Sequence, residues 1–192
     1  MKHNRKLDRR GLTLTELMIT LSIFGIIMAV VMGFVTGARN SYSDTRERAR
    51  YQQSMRSVMS MMVREMRTAG CDPSGAAFER FTFADDDVMQ CAMDLNGDGD
   101  FLDASPDEQV AYVLQAGTGR LFRIGGGQVF MVLEGVNDLE FTYFDANGAQ
   151  LANVPLIQTD RALVRHVNIT IDGETTRGEP VTYTTRVALR NS

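Results

Sequence analysis

A short acidic stretch of this chain carries side-chain oxygens at alternate positions. This is the ligand pattern of the first half of a calcium-binding loop, with a glycine, Gly99, at the sixth position. Calcium takes about six to eight oxygen ligands, and the alternation turns successive side chains toward one centre while the glycine allows a sharp bend. The candidate ligands are Asp94, Asn96, Asp98, Asp100 through its backbone carbonyl, and Asp103.

The second half of the loop departs from the EF-hand pattern. Its twelfth position is Ser105, where an EF-hand has a bidentate acid. Closure by Asp103, Asp107 or Glu108 is expected instead, in a loop that resembles those of dockerins and thrombospondin-type repeats. The alternative is an acidic surface turn without an ion. Because clustered carboxylates repel one another, we favour a structural calcium ion that orders the loop before a strand.

Glu16 is a single acid at the start of an apolar segment. Residues 17–35 carry no charge and are long enough to cross the hydrocarbon core of a bilayer as one helix. The charged residues before Glu16 are five basic and one acidic, which predicts a cytoplasmic N-terminus and a C-terminal domain outside. An ionised acid in apolar surroundings is unfavourable unless it has a partner, so Glu16 is a candidate functional residue whose natural partner is a free amino terminus.

Cleavage between Gly11 and Leu12 would create such an amino terminus four residues before Glu16. Residues 11–17 resemble the class III signal of type IV prepilins and type II secretion pseudopilins: a short basic leader, glycine, an apolar residue, and glutamate at the fifth mature position. The resemblance implies cleavage of leader 1–11 by a prepilin peptidase, N-methylation of Leu12, and pairing of Glu16 with a neighbouring subunit's amino terminus. Leu12 stands where the family usually has phenylalanine.

Two other interpretations of the N-terminus remain open. An ordinary secretory signal peptide would have a shorter apolar region, and residues 36–38 offer a weak cleavage site for it before Arg39. A plain uncleaved membrane anchor is the other alternative. Neither explains the offset of Glu16 from Gly11.

The cysteines and the histidine beyond the anchor predict no catalytic or zinc site. Cys71 and Cys91 are expected to form a disulfide if the domain is exported, with two buried free thiols as the alternative. His166 stands alone in a predicted strand, and no serine or cysteine has an evident base beside it. We therefore expect neither an enzyme nor a small-molecule substrate.

The N-terminal third of the chain predicts one long helix. Residues 12–37 are predicted to form its transmembrane and filament-core part, and residues 38–70 its amphipathic part, ended by Gly70. Apolar residues at spacings of three and four form one face, which consists of Tyr51, Met55, Val58, Met59, Met62 and Met66. The opposite face is mostly charged and consists of Arg46, Glu47, Arg50, Gln53, Arg56, Arg64 and Arg67.

The sequence after the long helix predicts a loop followed by a β-sheet. Residues 71–108 are expected to form a loop with the calcium site, and residues 109–192 an antiparallel β-sheet domain. The predicted strands are 110–114, 120–124, 128–133, 139–144, 163–171 and 181–189. Glycines at 117–119 and 125–127 predict hairpin turns. The expected class is α+β, a long N-terminal helix packed on an antiparallel sheet, which is the pilin architecture.

A second, looser resemblance narrows the expected function. Residues 133–145 and 164–169 are similar to minor pilins of the PilW kind and to J-type pseudopilins of type II secretion. This resemblance implies a minor pilin that takes part in the assembly or initiation of a type IV pilus. A type II secretion pseudopilin is the nearest alternative, and a tip adhesin or DNA-uptake module is a further one.

Charge and topology predict the surroundings of the mature chain. Losing five basic and one acidic leader residue changes the formal net charge from −4 to −8. An acidic domain of this kind argues against a nucleic-acid partner. The expected partners are other pilin subunits, a prepilin peptidase and methylase, and the bacterial inner membrane. The C-terminal domain is expected in the periplasm before the subunit enters a filament.

Overall fold

The computed structural model describes residues 13–115 and 117–190. Described residues up to Arg46 form one compact unit, here called the N-terminal unit, and those from Glu47 onward form a second, the C-terminal unit. The elements are α1 (Leu14–Thr68), β1 (Phe81–Ala84), β2 (Val88–Ala92), β3 (Gln109–Gln115), β4 (Arg120–Gly125), β5 (Gln128–Glu134), β6 (Val136–Phe144), α2 (Gln158–Leu163), β7 (His166–Glu174) and β8 (Pro180–Ala188). The predicted α+β class with a pilin layout is confirmed.

Helix α1 joins the apolar and amphipathic segments without a break, as predicted. It ends at Thr68 because Gly70 adopts a left-handed conformation with φ of 72°, which glycine reaches without steric strain. The Gly70 N–H then donates to the Ala92 carbonyl at 2.8 Å, so the chain leaves the helix alongside β2. The predicted start at Leu12 lies outside the described residues.

The predicted apolar face of α1 forms part of the core of the C-terminal unit. Met55, Met62 and Met66 are fully buried, and Met59 is 2% exposed. Tyr51 is only partly buried, and its hydroxyl donates to the Gly135 carbonyl at 2.6 Å. The side chains of the sheets that fill the same core include Phe81, Tyr112, Leu121, Phe141, Tyr143 and Ile169.

The strands form two antiparallel sheets where the sequence predicted one. One sheet has five strands in the order β1-β2-β3-β4-β5, and the other has three in the order β6-β7-β8. The division falls at Gly135, which has a φ of 74° and turns the chain between β5 and β6. In β7, Val167, Ile169 and Ile171 are buried and alternate with half-buried polar residues, as expected of a strand with one face on the core.

Two segments differ from the sequence prediction. The segment 71–108 was expected to be a loop, but it contains β1 and β2, which pair with each other and continue through β2 into β3. These strands are short, and the acids Asp85, Asp86 and Asp87 between them obscure their pattern. The strand expected from residue 163 begins at His166, because the preceding residues form α2.

Truncation of Met62 is expected to destabilise the C-terminal unit. Met62→Ala removes a fully buried side chain and leaves a cavity, so the free energy of unfolding should fall by about 2–5 kcal/mol. Chemical denaturation of the full chain in detergent, followed by the near-ultraviolet signal of buried Tyr112 and Tyr143, measures this loss. Met61→Ala is the matched control, since Met61 is only partly buried. Equal losses for the two variants would contradict the assigned core face.

Candidate functional site

The first half of α1 presents an apolar surface that is exposed along its length. Every side chain from Thr13 to Ser43 is exposed, and Leu14 and Phe34 are 76% and 79% accessible. By length and composition, α1 contains one segment suited to crossing a membrane. Such a surface requires lipid or other apolar helices around it.

Glu16 lies in the first turn of this helix. Thr13 caps the helix, since its Oγ1 accepts the Glu16 N–H at 3.3 Å and its carbonyl accepts the Leu17 N–H at 3.1 Å. An acid in the first turn is also favoured by the unpaired N–H groups and the positive end of the helix dipole. The Thr13-x-x-Glu16 spacing is that of a capping box, a signal the sequence prediction did not use. Gly11 and Leu12 lie outside the described residues, so cleavage and methylation stay predictions.

The acidic loop is organised by the buried carboxylate of Asp94. Its Oδ1 accepts the N–H of Gly97, and its Oδ2 accepts the N–H of Gly99 and the Ser74 hydroxyl, both at 3.1 Å. Gly97 and Gly99 have φ of 82° and 96°, conformations that favour glycine. Asp94 therefore bends the loop by binding its backbone.

Three carboxylates of this region converge. Oxygens of Asp98, Asp100 and Glu108 lie within 4.8 Å of one another. Glu108 is fully buried, and its Oε1 accepts the N–H of Leu95 at 2.8 Å and of Asn96 at 3.2 Å. Of the residues expected to close the loop, Glu108 lies in this cluster, whereas the carboxylate of Asp107 binds Arg123 at 2.9 Å.

The side chain of Asn96, itself a predicted ligand, links two other predicted ligands, Asp98 and Asp103. Its Nδ2 donates to Asp98 at 2.9 Å and to Asp103 at 2.7 Å. The pKa of Asp98 is lowered, chiefly because its carboxylate accepts the Asp100 N–H. The pKa of Asp103 is raised by desolvation and then by the nearby charges of Asp98, Glu108 and Asp100. The charges that act on Asp103 thus come from the same three carboxylates that converge in this region.

Both cysteines are free thiols in the structure, so the expected Cys71–Cys91 disulfide is not present in it. The side chain of Cys91 is directed into the core, where its Sγ lies 3.6 Å from the Val110 carbonyl, whereas Cys71 is partly exposed at the end of α1. Burial, and then the charge of Glu65, raises the pKa of Cys91 to about 12. Cys91 therefore stays protonated and unreactive near neutral pH.

A charged network that the sequence did not reveal supports the base of the acidic loop. Glu65 on α1 accepts hydrogen bonds from the Tyr112 hydroxyl and, at 2.8 Å, from Arg123 Nε. Arg123 also binds Asp107, the residue before Glu108. Burial and the Glu65 charge raise the pKa of Tyr112, which keeps its hydroxyl a donor. Tyr112 and Arg123 lie 47 and 58 residues from Glu65 along the chain, so no short-range sequence pattern predicts these contacts.

Comparison with protein families gives two matches. The model of the prokaryotic N-terminal methylation motif matches residues 6–32, which include Gly11, Leu12 and Glu16. The model of prepilin peptidase-dependent protein B matches residues 44–190, more than half of the chain. Both describe pilin-like structural subunits, and neither describes an enzyme. Comparison with curated proteins gives no match.

The two thiols are expected to differ in reactivity. At pH 8 a maleimide should modify Cys71 and leave Cys91 unmodified in the folded chain, because Cys91 is buried and its pKa is near 12. Peptide mass spectrometry after labelling measures both sites, and denaturant should expose Cys91. In the control Cys71→Ser, native labelling should disappear. If neither thiol of the wild type reacts in denaturant until a reductant is added, the cysteines form the disulfide expected from the sequence.

Proposed function

The chain belongs to the prepilin peptidase-dependent protein B family, and from this premise we propose that it is a minor pilin, a structural subunit that takes part in the assembly of a type IV pilus. The family matches and the apolar segment of α1 show a pilin-like protein with an N-terminal methylation motif and a helix suited to membrane anchoring. The class III signal expected from the sequence is confirmed at the level of the family.

The exposed apolar half of α1 is the observation that supports assembly. Side chains from Leu14 to Val35 are exposed along the whole segment, and an apolar surface of this length is stable only in an apolar environment. A membrane provides that environment before assembly, and the equivalent helices of neighbouring subunits provide it within a filament. The same segment therefore serves both states of the subunit.

Glu16 gives this assembly a specific contact. After cleavage, the amino group of Leu12 in one subunit would be a cation at the end of an apolar helix, and Glu16 of a neighbour would be its counter-ion. Pairing removes two unpaired charges from apolar surroundings, so it favours the correct axial offset between subunits. The acid is exposed on α1 and its backbone is held by Thr13, so the side chain is available to a partner.

The orientation of the chain in the membrane follows, in this proposal, from the basic residues before the anchor. The basic segment before residue 12 favours a cytoplasmic leader, which a peptidase at the inner face of the membrane would remove. The C-terminal unit would then lie in the periplasm of a bacterium. Its partners in this proposal are the prepilin peptidase and methylase, the inner membrane and other pilin subunits.

Processing of the N-terminus is the first test. In protein isolated from its own membranes, intact mass and N-terminal peptide analysis should find a chain that begins with N-methylated Leu12. Gly11→Ala is a useful variant, since it alters the residue at the scissile bond and should leave the leader attached. A chain that begins at Met1 or at Arg39 would contradict prepilin processing.

Glu16→Ala should impair filament incorporation without altering the C-terminal unit. A contact between charged groups in apolar surroundings is worth about 1.5–3 kcal/mol, so incorporation should fall by about tenfold or more. Sheared filaments, quantified by immunoblot against the membrane pool, measure it. Thr20→Ala is the matched control, because Thr20 is a polar residue of the same segment whose hydroxyl binds only helix carbonyls. Normal incorporation of the Glu16 variant would rule out this mechanism.

A gene deletion separates the two filament systems. Deletion that blocks protein export and leaves pili intact would assign the chain to type II secretion instead.

A further inference from the structure

We propose that the acidic loop binds a single calcium ion and that Glu108 closes the site, with Asp98 and Asp100 as its other carboxylate ligands. The site is independent of the filament role, because every residue in it belongs to the C-terminal unit. Of the three acids that the sequence offered for closing the loop, the proposal selects Glu108, which lies beyond the twelfth position, and it uses the side chain of Asp100 where the sequence analysis expected its backbone carbonyl. Its role is structural.

The convergence of three carboxylates is the first observation. Asp98 and Asp100 are exposed and Glu108 is buried, yet their oxygens lie within 4.8 Å of one another. All three are hard oxygen donors, and no sulfur or imidazole ligand of the described chain belongs to the group. Calcium is the cation whose coordination is flexible enough to use such a set together with backbone carbonyls and water.

The unpartnered oxygen of Glu108 is the second, independent observation. Glu108 has no solvent exposure, and while its Oε1 accepts two backbone N–H groups, its Oε2 has no hydrogen-bond partner among the described residues. A buried carboxylate oxygen without a partner is strongly unfavourable. Because the same carboxylate faces Asp98 and Asp100, a cation between the three would satisfy it and remove their repulsion.

The surrounding hydrogen bonds explain why Glu108 occupies this place. Asp107, its neighbour, is held away from the loop by Arg123, and the Glu108 carbonyl accepts the Met93 N–H at 2.9 Å. Glu108 is thereby fixed beside the start of β3. Asp94 lies outside the group of three converging carboxylates and binds two backbone N–H groups and the Ser74 hydroxyl, so we assign it to shaping the loop, and Asn96 to positioning Asp98 and Asp103.

A second acidic group in the chain provides an internal comparison. Asp85, Asp86 and Asp87 also bring their carboxylates within 4.8 Å of one another. None of the three is buried, and none has an oxygen among the buried unpartnered atoms of the described residues. This group has three converging carboxylates but no buried acid. A difference in calcium binding between the two groups would therefore report the contribution of Glu108.

Calcium binding should stabilise the C-terminal unit, because the ion joins segments that are distant along the chain. The Asp94 N–H donates to the Cys71 carbonyl at 2.8 Å just after α1, and Glu108 leads directly into β3. An ion held by Asp98, Asp100 and Glu108 would fix the loop between these two points. A ligand that binds only the folded state raises its thermal stability.

The test uses the full chain in detergent, freed of metal with EDTA and dialysed into metal-free buffer. Isothermal titration with CaCl2 should show one site, and excess CaCl2 should raise Tm by about 4 °C or more. Glu108→Gln keeps an acceptor for the N–H groups of Leu95 and Asn96 but removes the charge, so calcium affinity should fall by about tenfold or more. Asp87→Asn, in the other acidic group, should bind calcium as the wild type does.

Several outcomes would overturn the proposal. They are no calcium binding by the wild type up to about 1 mM, the weakest range of protein calcium sites, unchanged affinity in Glu108→Gln, or an equal loss in Asp87→Asn. Binding of MgCl2 as tight as that of CaCl2 would overturn the assignment to calcium. If Glu108→Gln fails to fold, Asp98→Asn decides the matter, because Asp98 is exposed and asparagine can still accept the Asp100 N–H. Wild-type calcium affinity in Asp98→Asn would then reject the site.

Discussion

The burial of the methionine face of α1 is the interaction on which the C-terminal unit depends. Met55, Met59, Met62 and Met66 fill the space against side chains from both sheets, and methionine suits an irregular interior because it is unbranched and flexible. The two sheets are separate hydrogen-bonded systems, so the helix is a common surface for both. The side chains of the first half of the same helix are exposed, so only its second half contributes to the core that the structure describes.

The polar network around Glu65 complements this apolar packing. Glu65 receives hydrogen bonds from Tyr112 on β3 and Arg123 on β4, and Arg123 in turn holds Asp107. Charged groups in partly buried positions have few acceptable partners, so the network restricts how the helix can rotate against the five-stranded sheet. It also separates the roles of two adjacent acids: Asp107 belongs to the network, and Glu108 is left to face the acidic loop.

The sequence predicted those features whose signals are local. Short-range sequence patterns indicate the buried face of α1, the alternation of Val167, Ile169 and Ile171, and the turn at Gly126 and Gly127. The strands β1 and β2 were missed because they have four and five residues, too few to establish a period. The partners of Glu65, and the convergence of Glu108 with Asp98 and Asp100 while Asp107 binds Arg123, depend on contacts between distant segments, which no single stretch of sequence predicts.

The methionine-rich interior has a consequence for how the C-terminal unit responds to oxidants. Met55, Met59, Met62, Met66 and Met89 are at most 2% exposed, so their sulfur atoms are shielded from oxidants while the domain is closed. Sulfoxide formation turns an apolar thioether into a polar group that cannot be buried without a partner. A molecule that opens and is oxidised there would refold less stably until a methionine sulfoxide reductase restores the thioether, so oxidation of these residues reports on transient opening of the domain.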